Sequence, residues 1–330
     1  MNLTPAIQAT LLLTAPLICG RNGHLEDLLS LGEFNRLQDA LVKNGLQLSS
    51  LVDGSADLGV LARTPGLGIE EGRLRQLLGR GFQLSQAVER WAARSIWVTA
   101  RNGAGFPLRL NTRLKEKTPP LIYGCGAIEL LDKGGLAVVG SRDASEDLLE
   151  YARNAGRLTA TARRTLVSGG ARGIDRAAMA GALENDGAAL GVLADSLDRA
   201  STQRDNRDAI LAGRLTLVSP YDPLAGFHAG NAMQRNKLIY ALADAALVVN
   251  SDLDSGGTWA GAVEELEKFR NIPVYVRSAE VPVPGLDGLK KKGALEWSQP
   301  SSPQELERVL TRQQSTRPKE RYVQREMLFG

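Results

Sequence analysis

The sequence predicts an α/β protein in which a doubly wound, mostly parallel sheet follows a small all-helical domain. Up to about residue 94, apolar residues recur at helical spacing, as in EFNRLQDALVKNGLQLSSLV. From residue 134 onward, short apolar runs alternate with Gly-rich turns and amphipathic segments, which is typical of βαβ units. The chain of 330 residues is long enough for two domains. We expect a helical domain at 1–94, the sheet domain at 95–298, and a helix and tail at 299–330.

The charge balance and the cysteine content restrict the functions that the sequence can indicate. The 40 basic and 37 acidic residues give a net charge of +3, so bulk charge does not by itself indicate nucleic acid. The few cysteines and histidines have no metal-binding spacing, and we expect a cytoplasmic protein without a metal or cofactor. No stretch approaches the roughly 20 apolar residues of a membrane span. No lysine or arginine precedes the apolar run at 6–19, which therefore predicts a buried helix rather than a signal peptide.

The helical domain contains a candidate helix-hairpin-helix at Thr64–Gly81. Pro65, Gly66 and Gly68 predict a tight turn, and a second helix follows. Such a turn can direct backbone N–H groups at a phosphate. The alternative, an αα-hairpin that only packs, stays open.

The segment between the two domains changes character. Residues 95–100 predict a strand, residues 101–110 a turn and an extended segment, and residues 117–126 a second extended piece. The adjacent prolines Pro119 and Pro120 favour extended backbone over helix.

Short apolar runs mark the strands of the sheet domain. They lie at 136–140, 165–168, 188–194, 215–219, 246–250 and 273–277, and helices fill the gaps. Strands that alternate with helices imply right-handed crossovers and a parallel sheet covered on both faces, so the domain is Rossmann-like. Ligands of such sheets lie beyond the carboxyl ends of the strands.

Gly-rich turns follow these strands at that edge. The first turn is VGSRDAS (139–145) and the second is GGARGID (169–175). The third, quoted with the start of the segment that follows it, is NSDLDSGGTWAGA (250–262). Glycines expose the backbone, a helix N-terminus offers unpaired N–H donors, and an anion such as phosphate is the natural ligand. The basic run at 235–237 adds a further element. The predicted phosphate-binding residues are Ser141, Arg142, Ser168, Gly169, Gly170, Arg172, Gly173, Arg235, Asn236, Lys237, Ser255, Gly256, Gly257 and Thr258.

Several of these residues also have structural explanations. Either arginine of the turns could form a surface ion pair, and residues 235–237 could be a solvated helix start. For Asp175, a structural role at the helix start is favoured over that of a general base. Trp259, Tyr221 and Phe227 could stack on bases, although packing is favoured for each. The serines have no GxSxG context, so no catalytic residue is predicted.

The C-terminal region begins with a predicted capping box. Ser302 and Glu305 have the required spacing and predict a helix through about Gln313. The tail that follows could dock its apolar residues Tyr322, Met327, Leu328 and Phe329 onto a partner or the core.

The order and spacing of these motifs resemble the DprA/Smf family of DNA-processing proteins. The matching pieces lie between about residues 95 and 295 and are GFPLRLNTRLKEKTPPLIYGCG (105–126), AVVGSR (137–142), LVSGGARGIDRAA (166–178), VSPYDP (218–223), QRNKLIYALAD (234–244), SGGTWAGA (255–262), IPVYV (272–276) and GLDGLKKKGA (285–294). Two departures are Met179, where the family usually has a histidine, and Asn250, where an acidic residue is common.

The resemblance implies single-stranded DNA binding, a homodimer, and delivery of DNA to a RecA-type recombinase in DNA uptake, recombination or defence against foreign DNA. By matching positions it places Ser141, Arg142, Gly169, Arg172, Gly173, Arg235, Asn236 and Lys237 along the DNA path.

Two other functions remain open at this point. The first is a nucleotide-binding enzyme or sensor related to phosphoribohydrolases, whose PGGxGTxxE turn carries a catalytic glutamate. Here SGGTWAGAVEE lacks the proline and places Glu264 and Glu265 later on the helix. The second is an interaction scaffold with a vestigial crevice.

Overall fold

The computed structural model describes residues 3–18 and 27–311. Its N-terminal part is helical, as the apolar spacing predicts. The helices are α1 (Pro5–Thr14), α2 (Leu31–Lys43), α3 (Leu58–Ala62), α4 (Glu71–Leu78) and α5 (Gly81–Ala93), with a short 3₁₀ helix at Leu48–Leu51. Helices α3 and α4 flank the predicted hairpin turn, in which Gly66 and Gly68 have φ values of 85° and 64°. Leu67 and Ile69 are buried beneath this turn and anchor it.

Helix α1 is shorter than the sequence predicts. The expected buried helix at 6–19 ends at Thr14, because Ala15 precedes Pro16 and takes an extended conformation (φ −95°, ψ 137°). Cys19 lies outside the described residues. The buried guanidinium of Arg80 donates to the carbonyl oxygens of Leu12 and Ala15, so it satisfies the end of α1 from a neighbouring element.

The sheet has nine strands within the described residues, in the order β1-β2-β6-β5-β4-β3-β7-β8-β9. Strands β1 and β2 pair antiparallel with each other and β2 with β6, and the remaining pairs are parallel. The predicted doubly wound, mostly parallel fold is therefore confirmed. The strands are β1 (Trp97–Ala100), β2 (Leu121–Cys125), β3 (Leu136–Val139), β4 (Thr165–Ser168), β5 (Ala188–Val192), β6 (Leu215–Ser219), β7 (Ala245–Val248), β8 (Val274–Val276) and β9 (Leu295–Glu296).

Helices cover both faces of this sheet. They are α6 (Leu108–Leu114), α7 (Glu146–Thr161), α8 (Ile174–Leu183), α9 (Leu197–Thr202), α10 (Arg204–Leu211), α11 (Ala229–Leu242), α12 (Gly256–Glu264), α13 (Pro284–Lys291) and α14 (Pro303–Thr311); 3₁₀ turns lie at Lys115–Lys117 and Ile128–Asp132, and a π-helical turn at Glu265–Phe269 follows α12. One face carries α7, α8, α9, α10 and α14, and the other carries α6, α11, α12 and α13. The two apolar cores lie between these layers and the sheet.

Part of the connecting segment differs from the prediction. Residues 101–110 were expected to be a turn followed by extended chain, but α6 begins at Leu108, directly after Pro107. The carboxylate of Asp132 accepts hydrogen bonds from the backbone N–H groups of Leu108 and Arg109, both at 3.3 Å. The helix is thus capped by a residue distant in sequence, which local pattern cannot indicate.

The C-terminal helix begins as predicted, with a modified cap. Ser302 Oγ accepts from the N–H of Glu305 at 3.3 Å, but Glu305 Oε2 accepts from the N–H of Ser301 rather than of Ser302. The helix is described to Thr311, and the tail with its apolar residues lies outside the described part of the chain. Among the described residues, none of the helices is long and apolar enough to span a bilayer.

Candidate functional site

The topology places the predicted turns at one edge of the sheet. Strand β3 lies between β4 and β7, and successive connections leave it in opposite directions, so the sheet has a switch point there. The first turn follows β3, the second follows β4 and the third follows β7. All three are therefore brought together at the carboxyl edge, as the sequence predicts.

The first and third turns line a concavity of about 900 Å³, which we call the crevice. Thr258 Oγ1 donates to the carbonyl oxygen of Gly140 at 3.0 Å, and Asn250 Nδ2 donates to Ser141 Oγ at 3.4 Å. These bonds hold the two turns against each other. Asn250, one of the two departures from the resembled family named above, performs this task.

Helix α12 begins in the crevice with exposed backbone. Its N-cap, Ser255, is extended and makes no side-chain cap bond, and Gly256, Gly257 and Thr258 form the first turn of the helix. The first N–H groups of a helix have no intrahelical acceptor and carry the positive end of its dipole. Asn236 Nδ2 donates to the Gly257 carbonyl at 2.8 Å and fixes this end. The start of α12 therefore has the exposed backbone donors that an anion-binding site requires.

The second turn lines mainly a second concavity. Gly169, Gly170, Ala171 and Arg172 line a groove of about 1080 Å³ that runs between α8 and the pair α9–α10. The crevice and the groove adjoin, and Arg142, Ala171, Phe227 and Arg235 line both of them. The arrangement is one elongated site in two parts.

Gly173 and Gly169 explain why the second turn needs glycines. Gly173 has a φ of 89°, and a Cβ there would lie 2.4 Å from the Ser141 carbonyl oxygen. A Cβ on Gly169 would lie 2.1 Å from Arg235 Nη1 and 2.6 Å from Asp175 Oδ2. Glycine at position 173 lets the second turn lie against the first turn. Glycine at position 169 lets the buried guanidinium of Arg235 and the buried carboxyl of Asp175 approach the backbone of the second turn.

Asp175 and Arg235 are structural groups beneath the turns. Asp175 Oδ2 accepts from the Gly169 N–H at 3.0 Å, and burial raises the pKa of this carboxyl to about 6 against the opposing effect of Arg235. The guanidinium of Arg235 is 5% exposed and donates to the Val192 carbonyl, and burial lowers its pKa. The structural role favoured for Asp175 agrees with these contacts.

The exposed arginines have different partners. Arg142 lies over the ring of Phe227, with 5.0 Å between its guanidinium carbon and the ring centroid. Arg172 forms an ion pair with Asp143, and both side chains are largely exposed. The surface ion pair considered for Arg172 is therefore present, and Asp143 is a site residue that the sequence reasoning missed.

Two predicted phosphate-binding side chains point away from the open site. Ser168 is fully buried, and its hydroxyl donates to the Val138 carbonyl at 2.6 Å. Lys237 is half-buried on another side of α11, where its ammonium contacts Gln234 Oε1 at 3.1 Å and where burial lowers its pKa. Neither side chain lines the crevice or the groove.

The three candidate stacking residues differ in exposure and in contacts. Trp259 is buried, and Tyr221 donates its hydroxyl to the Asn231 carbonyl at 3.0 Å. Phe227 is 57% exposed at the boundary between crevice and groove. Of the three, Phe227 presents an open ring to a ligand, and its partnership with Arg142 had no local indication in the sequence. No cluster of His, Cys, Asp and Glu suited to a metal occurs among the described residues.

Fold and site together define a doubly wound α/β protein with an arginine-bearing, donor-rich cleft at the switch point of its sheet. The chain belongs to the family of DNA recombination-mediator protein A, whose family model matches residues 97–299. The resemblance to the DprA/Smf family predicted from its motifs is thereby confirmed.

Individual proteins are similar to the chain in sequence or in fold. The chain is 33% identical over 195 residues to Protein Smf of Escherichia coli, an alignment that covers 55% of this chain and 49% of that protein, so it spans about half the length of this curated relative. Its fold is similar to that of DNA processing protein A (DprA) from Streptococcus pneumoniae, with a TM-score of 0.67, 20% identity and coverage of 93% and 98% of the two chains. A protein from Helicobacter pylori, whose structure is described as showing the single-stranded DNA binding mode of DNA processing protein A, aligns with a TM-score of 0.53 and 22% identity over 67% and 96% of the chains.

Proposed function

We propose that this protein binds single-stranded DNA through the phosphate backbone, along the crevice and across its junction with the groove. The observation that carries the proposal is the junction of the two concavities at Arg142 and Phe227. A cation, an exposed ring and a series of backbone donors in a row suit the repeated phosphates and bases of a strand better than one nucleotide. Family membership and the single-stranded DNA binding described for the Helicobacter pylori relative support it.

Each part of the site has a role in this proposal. The N-terminus of α12 binds one phosphate, and Arg142 binds another while its ring partner Phe227 stays available to a base. Arg172 contributes a further charge once it exchanges Asp143 for a phosphate. Ser168 and Arg235 support the loops through buried hydrogen bonds to Val138 and Val192, and Lys237 lies outside both concavities.

The proposal predicts opposite effects for two neighbouring substitutions. Arg142→Ala weakens binding about tenfold at moderate salt, since a charge-assisted hydrogen bond to phosphate is lost. It also lowers the slope of log affinity against log salt by about 0.7, the value for one phosphate contact to a single strand. Asp143→Asn tightens binding, because it releases Arg172 from its ion pair. Fluorescence anisotropy of a labelled oligothymidylate at several salt concentrations measures both.

Lys290→Ala is the matched control for the charge change. Lys290 forms one exposed ion pair, with Asp287, and lines neither concavity. It should leave the affinity and the salt slope unchanged. If Arg142→Ala behaves like this control, the strand does not cross the junction and the proposed function is wrong.

We propose further that binding is not accompanied by nucleotide hydrolysis. Glu264 pairs with Lys268 at 3.3 Å, and Glu265 Oε1 accepts from the backbone N–H of Ile272 at 2.9 Å. Glu264 is the last residue of α12, about 12 Å along the helix from Gly256, and Glu265 directly follows it. Nucleoside monophosphates should neither compete with the oligonucleotide nor release free base. Base release that Glu264→Gln abolishes would instead support the phosphoribohydrolase function.

The family description as a recombination mediator supports a partner of the recombinase class. We propose that the protein acts as a cytoplasmic homodimer that assists loading of a RecA-type recombinase onto the bound strand. Sedimentation velocity tests the dimer. A strand-exchange assay, in which a recombinase competes with a single-strand-binding protein with and without this protein, tests the loading.

A further inference from the structure

The groove continues well beyond the turns that the proposed function uses. From the second turn it runs along the side of α8 that faces α9 and α10, on the opposite face of the sheet from α11 and α12. Its volume of about 1080 Å³ reaches the upper limit of small-molecule pockets, which hold about 300–1,000 Å³. The groove therefore has room for more than the phosphate that the second turn would bind.

The floor of the groove is apolar. Met179 and Leu217 are 8% and 2% exposed and meet over strand β5, and Leu193 lies beside them. Gly191 of β5 allows this approach, because a Cβ there would lie 2.6 Å from Leu217 Cδ2 and 3.1 Å from Met179 Cε. An apolar floor offers contact to a base without hydrogen-bond readout of its identity.

Arginines line the walls above this floor. Arg199 on α9 is exposed, and its guanidinium forms no hydrogen bond or ion pair within the described residues. Arg176 on α8 is also exposed, and its Nε makes only a long contact of 3.4 Å to the Gly170 carbonyl. Six arginines and four acidic residues line the groove; the acidic residues are Glu184, Asp195, Asp205 and Asp208, and the last two belong to α10.

We propose that the groove holds unpaired bases of the same strand whose phosphates cross the crevice, with Met179, Leu193 and Leu217 beneath the bases and Arg176 and Arg199 contacting the phosphates. The inference rests on the proposed function and gives the strand a direction across the molecule, from the start of α12 past Arg142 to α9. Continuity supports it, because Arg142 and Phe227 line both concavities. Bases within a duplex are paired and stacked, so the site selects single strands.

The length of the oligonucleotide distinguishes the groove from the crevice. Oligothymidylates of about 4 to about 16 nucleotides, the range of known single-strand sites, are titrated by anisotropy against the full chain. For the unmodified protein, affinity rises with length until the groove is filled. Arg199→Ala should leave binding of the shortest oligonucleotide unchanged and weaken binding of the longest about three- to tenfold.

Two further variants complete the experiment. Arg207 is exposed on the neighbouring helix α10 but does not line the groove, so Arg207→Ala should bind every length normally. Ala180→Trp fills the groove from α8 and should reproduce the length-dependent loss without removing a charge.

The outcomes separate the two proposals. If Arg199→Ala and Ala180→Trp bind all lengths normally while Arg142→Ala is impaired, the groove inference is overturned and the proposed function stands. If Arg142→Ala is also unimpaired, the proposed function fails as well.

Discussion

At the scale of single residues, the site depends on one buried carboxyl. Asp175 accepts from the backbone of the second turn, and a Cβ on Gly169 would contact both Asp175 and Arg235. The conformation of the turn is therefore fixed by buried groups beneath it. The glycines of the motif GGARGID are required by this buried packing as much as by a ligand.

The raised pKa of Asp175 predicts a specific pH dependence of stability. The carboxyl titrates near 3.8 when exposed and at about 6 in the fold. The native state therefore binds more protons than the unfolded state between these values, and its stability falls as pH rises through this window. The difference corresponds to about 3 kcal/mol.

The variant Asp175→Asn isolates this effect. The free energy of unfolding of the unmodified protein minus that of Asp175→Asn should decrease by about 3 kcal/mol from pH 4 to pH 6.5. Urea denaturation at a series of pH values measures the difference, and groups common to both proteins cancel. A difference that is constant with pH would contradict a titration of Asp175 in this range.

At the scale of elements, helices α7 and α8 are in backbone contact. A Cβ on Gly156 of α7 would lie 2.1 Å from the Ala178 carbonyl oxygen, and one on Gly181 of α8 would lie 2.0 Å from the Arg153 carbonyl oxygen. Because α8 follows the second turn and α7 follows the first, this contact fixes the spacing between the two turns. A change in the packing of α7 against α8 would therefore also change the positions of the two turns.

This contact predicts that Gly181→Ala destabilises the protein by about 2 to 3 kcal/mol, since the helices must separate. Binding of single-stranded DNA should weaken in the same variant. Gly72→Ala in α4 is the control, because a Cβ there meets no atom within 4 Å. It should stabilise the protein by up to about 1 kcal/mol. Thermal or urea denaturation compares the two, and equal stabilities would exclude the proposed clash.

The sequence predicted some elements much better than others. Strands such as Thr165–Ser168 were read correctly because buried parallel strands are continuous apolar runs. Helix α6 was missed because its cap, Asp132, is supplied across the fold. The division into crevice and groove could not be predicted either, since it depends on which helices cover which face. Phe227 acquires its partner Arg142 only through that arrangement.

At the scale of the whole molecule, α1 joins the helical part to the sheet. Ala9 and Leu13 belong to the apolar core of the N-terminal helices, whereas Leu11 and Leu12 belong to the core beneath the sheet. Arg80 fixes the end of α1 through backbone carbonyls. We therefore expect the described parts of the chain to unfold together.

The variant Arg80→Met tests this coupling. It leaves the buried carbonyl oxygens of Leu12 and Ala15 without this donor, which costs about 1–3 kcal/mol for each. In urea, far-UV circular dichroism and tryptophan fluorescence should report one transition for the unmodified protein and separate transitions for the variant, with the helices unfolding first. Arg63→Met, at an exposed position of the same domain, should behave like the unmodified protein. Separate transitions in the unmodified protein would show that α1 does not couple the parts.

The position of α1 also has a consequence for synthesis on the ribosome. The backbone N–H of Ile18 donates to Asp222 Oδ2 at 3.2 Å, across 204 residues of chain. At about 5–20 residues per second, these partners are made about 10–40 s apart. During that interval α1 already has its neighbours α4, α5 and β1, because all of them lie within the first 100 residues. The bond from Ile18 to Asp222 therefore closes late and joins helices that have already packed to the sheet.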